Sequence, residues 1–220
     1  MAEADIARVQ EIERRSFATP WSANTYRNEL RNPASSRYIV ARISPTQPPP
    51  REERSPQPGG LLARLLPGLF RAQPGDAPPS PYPIVGYGGV WLSVDEGHIT
   101  TIATDPEYRG QGVGELLLNG LIDQALDLGA DMLTLEVRVS NTVAQQLYLK
   151  YGFRPAGKRT RYYTDNGEDA LIMWTDPIRS AEYQQMLAQL RDKLYERLRR
   201  VANDTTPQPR AQLHPSRAAK

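Results

Sequence analysis

A chain of 220 residues is long enough for one full domain with its own core and some additional chain. Its 39% hydrophobic and 24% charged residues are ordinary for a soluble protein, and a formal charge of only +2 gives no footing for direct nucleic-acid binding. Cysteine is absent, which excludes disulfides, zinc–cysteine sites and thiol nucleophiles, and no apolar run nears the roughly 20 residues of a transmembrane segment.

The start, Met1-Ala2-Glu3-Ala4-Asp5, is acidic and lacks the pattern of a signal peptide, so a cytoplasmic location is expected. Ile6, Val9, Ile12 and Phe17 share one face of a helix over about 3–16. Ala18-Thr19-Pro20-Trp21-Ser22 breaks it, and Ser22 is placed to cap a second helix from Ala23 to about Arg31. Tyr38 to Ile43 reads as a strand.

Residues 44–83 differ in kind. Twelve of the 20 prolines fall between Pro45 and Pro83, a density that forbids regular structure, so the stretch is expected to be a disordered surface insertion. Within it, Leu61, Leu62, Leu65, Leu66 and Leu69 make a short apolar face interrupted by Pro67. That patch either packs on the domain or docks a partner, which makes 61–70 a candidate docking segment.

Regular patterning resumes with a strand at Ile84–Leu92, a turn at Asp95-Glu96-Gly97 and a hairpin partner from His98 to Thr104. A helix follows over about 112–129, closed by Gly129. Next come a strand at Met132–Val137, a short helix from Asn141 to Tyr151, and strands near 153–161 and 170–174 around the loop Tyr163–Gly167. Beyond Pro177 a long helix carries Tyr183, Met186, Leu187, Leu190, Leu194, Leu198 and Val201 on one stripe. Its length suits packing on the domain, with docking through 179–201 as the alternative. The tail 203–220 is polar and is expected to be disordered. This order predicts a mixed α/β fold rather than a doubly wound sheet, because too few βα units follow one another. The domain is expected to span 1–177, interrupted at 44–83, with 178–202 as an additional amphipathic helix.

The functional signal lies at Thr101–Gly114, a strand, a glycine turn and then a helix. Backbone N–H groups at a helix N-terminus, with the positive end of its dipole, suit a phosphate or pyrophosphate. Arg109-x-x-Gly112-x-Gly114 is neither a Walker P-loop, lacking G-K-[ST], nor a good dinucleotide fingerprint, since Asp105-Pro106-Glu107-Tyr108 separates strand from turn.

Two side chains stand out for acid–base work. Glu136 interrupts the apolar run Thr134-Leu135-Glu136-Val137, where desolvation would make it a base; a structural ion pair with Arg138 or another basic residue explains it equally well. Tyr148 is either an acid or an aromatic packing its helix on the sheet. Asn141 is placed as a helix N-cap. His98 is assigned a structural place at the start of its strand, and His214 no role.

Arg109-Gly110-Gln111-Gly112-Val113-Gly114 resembles the pyrophosphate-binding signature of the GNAT acetyltransferases. Thr19-Pro20-Trp21-Ser22, Ile102-Ala103-Thr104-Asp105-Pro106, Leu135-Glu136-Val137-Arg138-Val139-Ser140-Asn141, Ala144-Gln145-Gln146-Leu147-Tyr148, Gly152-Phe153, Arg161-Tyr162-Tyr163 and Glu168–Met173 continue the match. They are most similar to the bacterial ribosomal-protein-alanine N-acetyltransferases, and the resemblance covers about 3–43 and 84–177.

The resemblance implies a GNAT fold with a twisted, mostly antiparallel sheet flanked by helices. It also implies acetyl-CoA as donor, no metal, and a protein N-terminus as acceptor, with the N-terminal alanine of a ribosomal protein as the specific candidate. On these positions Glu136 is the general base and Tyr148 the general acid. Arg109, Gly110, Gln111, Gly112, Val113 and Gly114 hold the pyrophosphate, Ile102, Ala103 and Thr104 meet the pantetheine arm, and Asn141 bonds the cofactor. Trp21, Tyr162 and Tyr163 face the acceptor. The competing expectations are a small amine or internal lysine as acceptor, or a CoA-binding interaction protein without turnover.

Overall fold

The computed structural model describes residues 1–43 and 82–204, with side chains as far as Val201. The expected insertion at 44–83 up to residue 81, its apolar segment 61–70 and the tail from 205 lie outside the described residues.

Helices α1 (Ile6–Ser16) and α2 (Ala23–Leu30) open the fold. As the sequence predicts, Ser22 caps α2, its hydroxyl accepting from the Thr25 N–H at 3.1 Å. Strands β1 (Ser36–Arg42), β2 (Ile84–Ser93) and β3 (Glu96–Thr104) form an antiparallel meander. Helix α3 (Val113–Leu128) crosses to β4 (Met132–Arg138), followed by α4 (Thr142–Lys150), β5 (Phe153–Tyr163), β6 (Glu168–Thr175) and α5 (Ala181–Asp204). The six strands make one sheet in the order β1-β2-β3-β4-β6-β5, and only β3 and β4 run parallel. This is the mixed, mostly antiparallel architecture that the sequence predicts.

Strand alternation sorts the two faces. Tyr38 on β1 and Tyr87 on β2 turn toward α1 and α2, where they meet Ile6, Val9, Ile12 and Tyr26. Ala41 and Val85 turn the other way, onto Val113 and Leu117 of α3. The larger core on that second face gathers Leu118, Leu121 and Ile122 of α3, Leu133, Leu135 and Val137 of β4, and Tyr183 and Leu187 of α5. The apolar stripe of α5 is therefore packed on its own domain, with Leu187 and Leu194 each 1% exposed. Among the described residues no helix is long and apolar enough to cross a membrane.

Three local details differ from the sequence reading. Phe17, expected on the apolar face of the first helix, instead ends α1 in an extended conformation and is exposed. The β2–β3 turn falls at Val94-Asp95, one step earlier than Asp95–Gly97, and Val94 takes a left-handed φ of 58° at full exposure. A 3-10 turn, Pro106–Tyr108, separates β3 from the glycine loop. Proline pre-sets its first position and the Asp105 carboxylate caps the Glu107 N–H at 3.2 Å.

Candidate active site

The site follows from a defect in the sheet. β3 and β4 pair only over Glu96–His98 and Met132–Thr134. Beyond those three steps they separate, and Ile99–Ile102 faces Leu135–Arg138 across a cleft of about 410 Å3, within the size range of ligand pockets. A bulge contributes: Gly89 pairs with Thr101 but Val90 with Ile99, leaving Thr100 as the extra residue on β3.

Period-two alternation along β4 sends Leu133, Leu135 and Val137 into the core, so Glu136 emerges on the opposite face into the cleft. Its side chain is only 6% exposed, yet it does not sit in an apolar pocket. His98 Nε2 lies 3.2 Å from Oε2, and Arg159 Nη2 lies 3.0 Å from Oε1. Of the two sequence readings of Glu136, the ion pair is therefore present, made with Arg159 in place of Arg138. Arg138 turns away to Asp165 (2.8 Å) and Glu168 (3.0 Å), and its guanidinium lies 3.8 Å over the Tyr163 ring. His98, read from sequence as structural, lines the cleft opposite Trp91. Burial draws its imidazole below the ordinary value, against the upward pull of Glu136.

Tyr148 lies on α4 with its ring 5.6 Å from Phe153 and reaches the same cleft. Burial pushes its phenol well above the ordinary range, so it keeps its proton at any working pH. Asn141 caps α4, its Oδ1 accepting from the Ala144 N–H at 3.2 Å, and also lines the cleft. The opposite wall is aromatic, with Phe17 and Trp21 from the α1–α2 loop, Trp91 from β2, and Tyr162 and Tyr163 from the end of β5. Tyr162 and Tyr163 meet edge to face at 5.2 Å, next to Arg161, which holds a left-handed φ of 50°. Glu13 adds a second buried carboxylate, fixing the loop by accepting from the Trp21 N–H (3.0 Å) and the Tyr26 hydroxyl (2.7 Å).

Glu136, Tyr148, Asn141, Ile102, Trp21, Tyr162 and Tyr163 therefore share one cleft. Ala103, Thr104 and Arg109–Gly114 do not line it. They continue beyond it along β3, where Ala103 is buried and the Thr104 carbonyl accepts from Arg109 Nε at 3.4 Å. Gly110 (φ 76°) and Gly112 (φ 89°) both adopt the left-handed backbone that favours glycine, which turns the chain so that α3 starts at Val113. Gln111 donates to the Glu107 carbonyl at 3.2 Å, steadying that turn, and Gly114 follows in the first turn of α3. The loop N–H groups at this helix start are the atoms suited to a phosphate. Among the described residues no group of three or more His, Asp or Glu is arranged to hold a metal.

Sequence reasoning missed His98, Arg159, Trp91 and Glu13. Only His98 carried a local signal, an imidazole at the start of the strand leading to the glycine loop.

The chain matches the model of the "Acetyltransferase (GNAT) family" over residues 63–153. It is 39% identical over 170 residues to a Bacillus subtilis protein provisionally named a ribosomal protein bS18-alanine N-acetyltransferase, covering 77% of this chain and 88% of that one. It is 32% identical over 178 residues to the N-alpha-acetyltransferase RimI of Mycobacterium tuberculosis, covering 80% of this chain and 89% of the relative. Among solved structures, the ribosomal-protein-S18-alanine N-acetyltransferase of Escherichia coli superposes with a TM-score of 0.55 at 30% identity, covering 82% of this chain and 92% of that one.

Proposed function

The chain belongs to the acetyltransferase (GNAT) family, and within it we propose that this N-acetyltransferase moves the acetyl group of acetyl-CoA to the α-amine of a protein N-terminus. An N-terminal alanine of a ribosomal protein is the first acceptor to try, on the printed names of the relatives. The setting would be the cytoplasm, where acetyl-CoA and ribosomal proteins meet.

One observation carries the reading: the separation of β3 from β4 brings a carboxylate and a phenol into one cleft with an aromatic wall. In this reading the loop Arg109–Gly114 and the start of α3 hold the pyrophosphate of CoA. The edge of β3 at Ile102–Thr104 that β4 leaves unpaired receives the pantetheine arm as an added strand would be received. Asn141 stands beside that arm.

The chemistry is a direct transfer in a ternary complex. Glu136 takes a proton from the acceptor ammonium, the freed nitrogen attacks the thioester carbonyl, and the carbon–sulfur bond breaks as the tetrahedral intermediate collapses. Tyr148, kept protonated by its burial, supplies the proton to the departing thiolate, and the second proton that the new amide nitrogen sheds restores the phenol. Trp21, Tyr162 and Tyr163 grip the first residues of the acceptor. The absence of cysteine from the chain fits transfer without a thiol acyl-enzyme.

Incubating the protein with acetyl-CoA and a panel of peptides differing in their first residue, read by mass spectrometry, tests the assignment. Acetylation confined to peptide α-amines supports it. Acetylation only of polyamines or small amines, or no acetylation at all, contradicts it.

A further inference from the structure

The pairing of His98 with Glu136 has no part in the reaction as described so far. We propose that His98 is a positioning residue that orients the Glu136 carboxylate and sets the lower pH limit of turnover. The inference rests on reading Glu136 as the base.

The geometry comes from the sheet. His98 opposite Thr134 is the last paired step between β3 and β4, so its side chain stands where the strands begin to part. Glu136, two residues further along β4, is on the same face as Thr134 and is the first side chain past that point. The terminal torsion of a glutamate is broad and two-fold, so a base aimed at a substrate nitrogen needs outside restraint. Here both oxygens are held, Oε2 by His98 at 3.2 Å and Oε1 by Arg159 at 3.0 Å. The Trp91 ring, 5.9 Å from the imidazole across the β2–β3 pair, covers His98, which remains 23% exposed and in touch with solvent.

The charged groups that face His98 are Glu136 from β4, Arg159 from β5 and Glu96 from its own strand, while β2 presents the uncharged Trp91. Burial and Arg159 favour the neutral imidazole; the two glutamates oppose them, and the balance lies below the ordinary histidine value. Near neutral pH a neutral His98 steers Glu136 without adding charge. As the pH falls, the imidazolium becomes a second cation on Glu136 beside Arg159. A carboxylate so stabilised is a weaker base, and turnover falls as the imidazolium forms.

The test is kcat at saturating acetyl-CoA and a saturating peptide with N-terminal alanine, measured between about pH 5 and 8, where histidine titrates. Wild type, His98→Gln, His98→Ala and Glu136→Gln are compared. Glutamine keeps an N–H donor without a titrating charge. We expect His98→Gln to lose a few-fold in kcat near neutrality and to move its acidic limb down by about one pH unit. His98→Ala, with no donor, loses roughly tenfold in kcat while its KM for acetyl-CoA stays at the wild-type value. Glu136→Gln loses roughly two decades or more. A His98→Gln profile that superposes on wild type while Glu136→Gln is inactive overturns the role of His98 and leaves the base standing. Full turnover in Glu136→Gln overturns both. If His98→Gln has a lowered unfolding midpoint, His98→Asn makes the same comparison with a shorter amide.

Discussion

Arg197 on α5 donates through Nη2 to Glu115 Oε2 at 2.5 Å, joining the C-terminal helix to the first turn of α3. Glu115 also accepts from Lys150 and, at 2.9 Å, from the Tyr151 hydroxyl, and its side chain is only 7% exposed. The same guanidinium would lie 3.0 Å from a Cβ placed on Gly112. The added helix therefore braces the glycine loop from behind. Removing the acceptor leaves three donors facing one another, and a buried pair broken on one side costs about 3–5 kcal/mol. Both cations here are partly exposed and can regain water, so Glu115→Ala should lower stability in urea by about 2–3 kcal/mol. It should also weaken acetyl-CoA binding. Arg197→Ala, at a half-exposed site, should cost about 1 kcal/mol or less.

The same cluster predicts a pH dependence. Burial pushes the Glu115 carboxyl up, but the hydrogen bonds from Lys150, Arg197 and Tyr151 outweigh it and hold the group below its ordinary value of 4.5. A depressed acid adds stability that is present above its unfolded pKa and lost as pH falls through the folded one. Urea midpoints should therefore drop as pH falls below about 4.5, and Glu115→Gln should flatten part of that drop.

Tyr148→Phe keeps the ring against Phe153 and removes only the hydroxyl. Its predicted signature is a fall in kcat of roughly 10- to 100-fold with acetyl-CoA affinity retained, measured by steady-state kinetics beside calorimetry. Equal turnover would assign Tyr148 to packing alone. Because burial holds the phenol protonated, no loss of rate on the alkaline side should trace to this residue.

Arg138 ties β4 to the loop after Tyr163 through Asp165, Glu168 and the Tyr163 ring. Glu168, drawn down to about 2 first by its hydrogen bonds from Ser140 and then by Arg138, also accepts the Ser140 N–H at 2.8 Å, so the loop is anchored twice. Arg138→Ala should free Tyr162 and Tyr163, raising the acceptor KM roughly tenfold and leaving the KM for acetyl-CoA close to wild type.

Much of the fold was legible because its signals are local. The 3.6 period of α1 and α5, the Ser22 and Asn141 caps and the Gly129 stop are each set by neighbours in sequence. The glycine loop was legible for the same reason. What the sequence hid is non-local. Arg159 reaches Glu136 from β5, which pairs with β6 and not with β4, so no spacing rule links the two residues. His98 meets Glu136 only because β3 and β4 stay paired for three steps and no further. The 3-10 turn at Pro106 is an intermediate case, since an acceptor followed by proline was already visible at Asp105-Pro106.

Glu13→Gln tests the aromatic wall. A glutamine offers one oxygen where the carboxylate satisfied both the Trp21 N–H and the Tyr26 hydroxyl. Leaving one buried donor short costs about 1–3 kcal/mol, so the unfolding midpoint should fall. With the loop carrying Trp21 less well held, the acceptor KM should rise roughly three- to tenfold.

The central claim is that the cleft between β3 and β4 presents the acetyl group to a peptide α-amine. It is tested most directly on one peptide that begins with alanine and carries an internal lysine. The protein is incubated with acetyl-CoA, and the modified position is mapped by fragmentation mass spectrometry. Label on the α-amine alone, lost in Glu136→Gln, is the predicted result. Label on the lysine side chain with a free N-terminus would contradict the account.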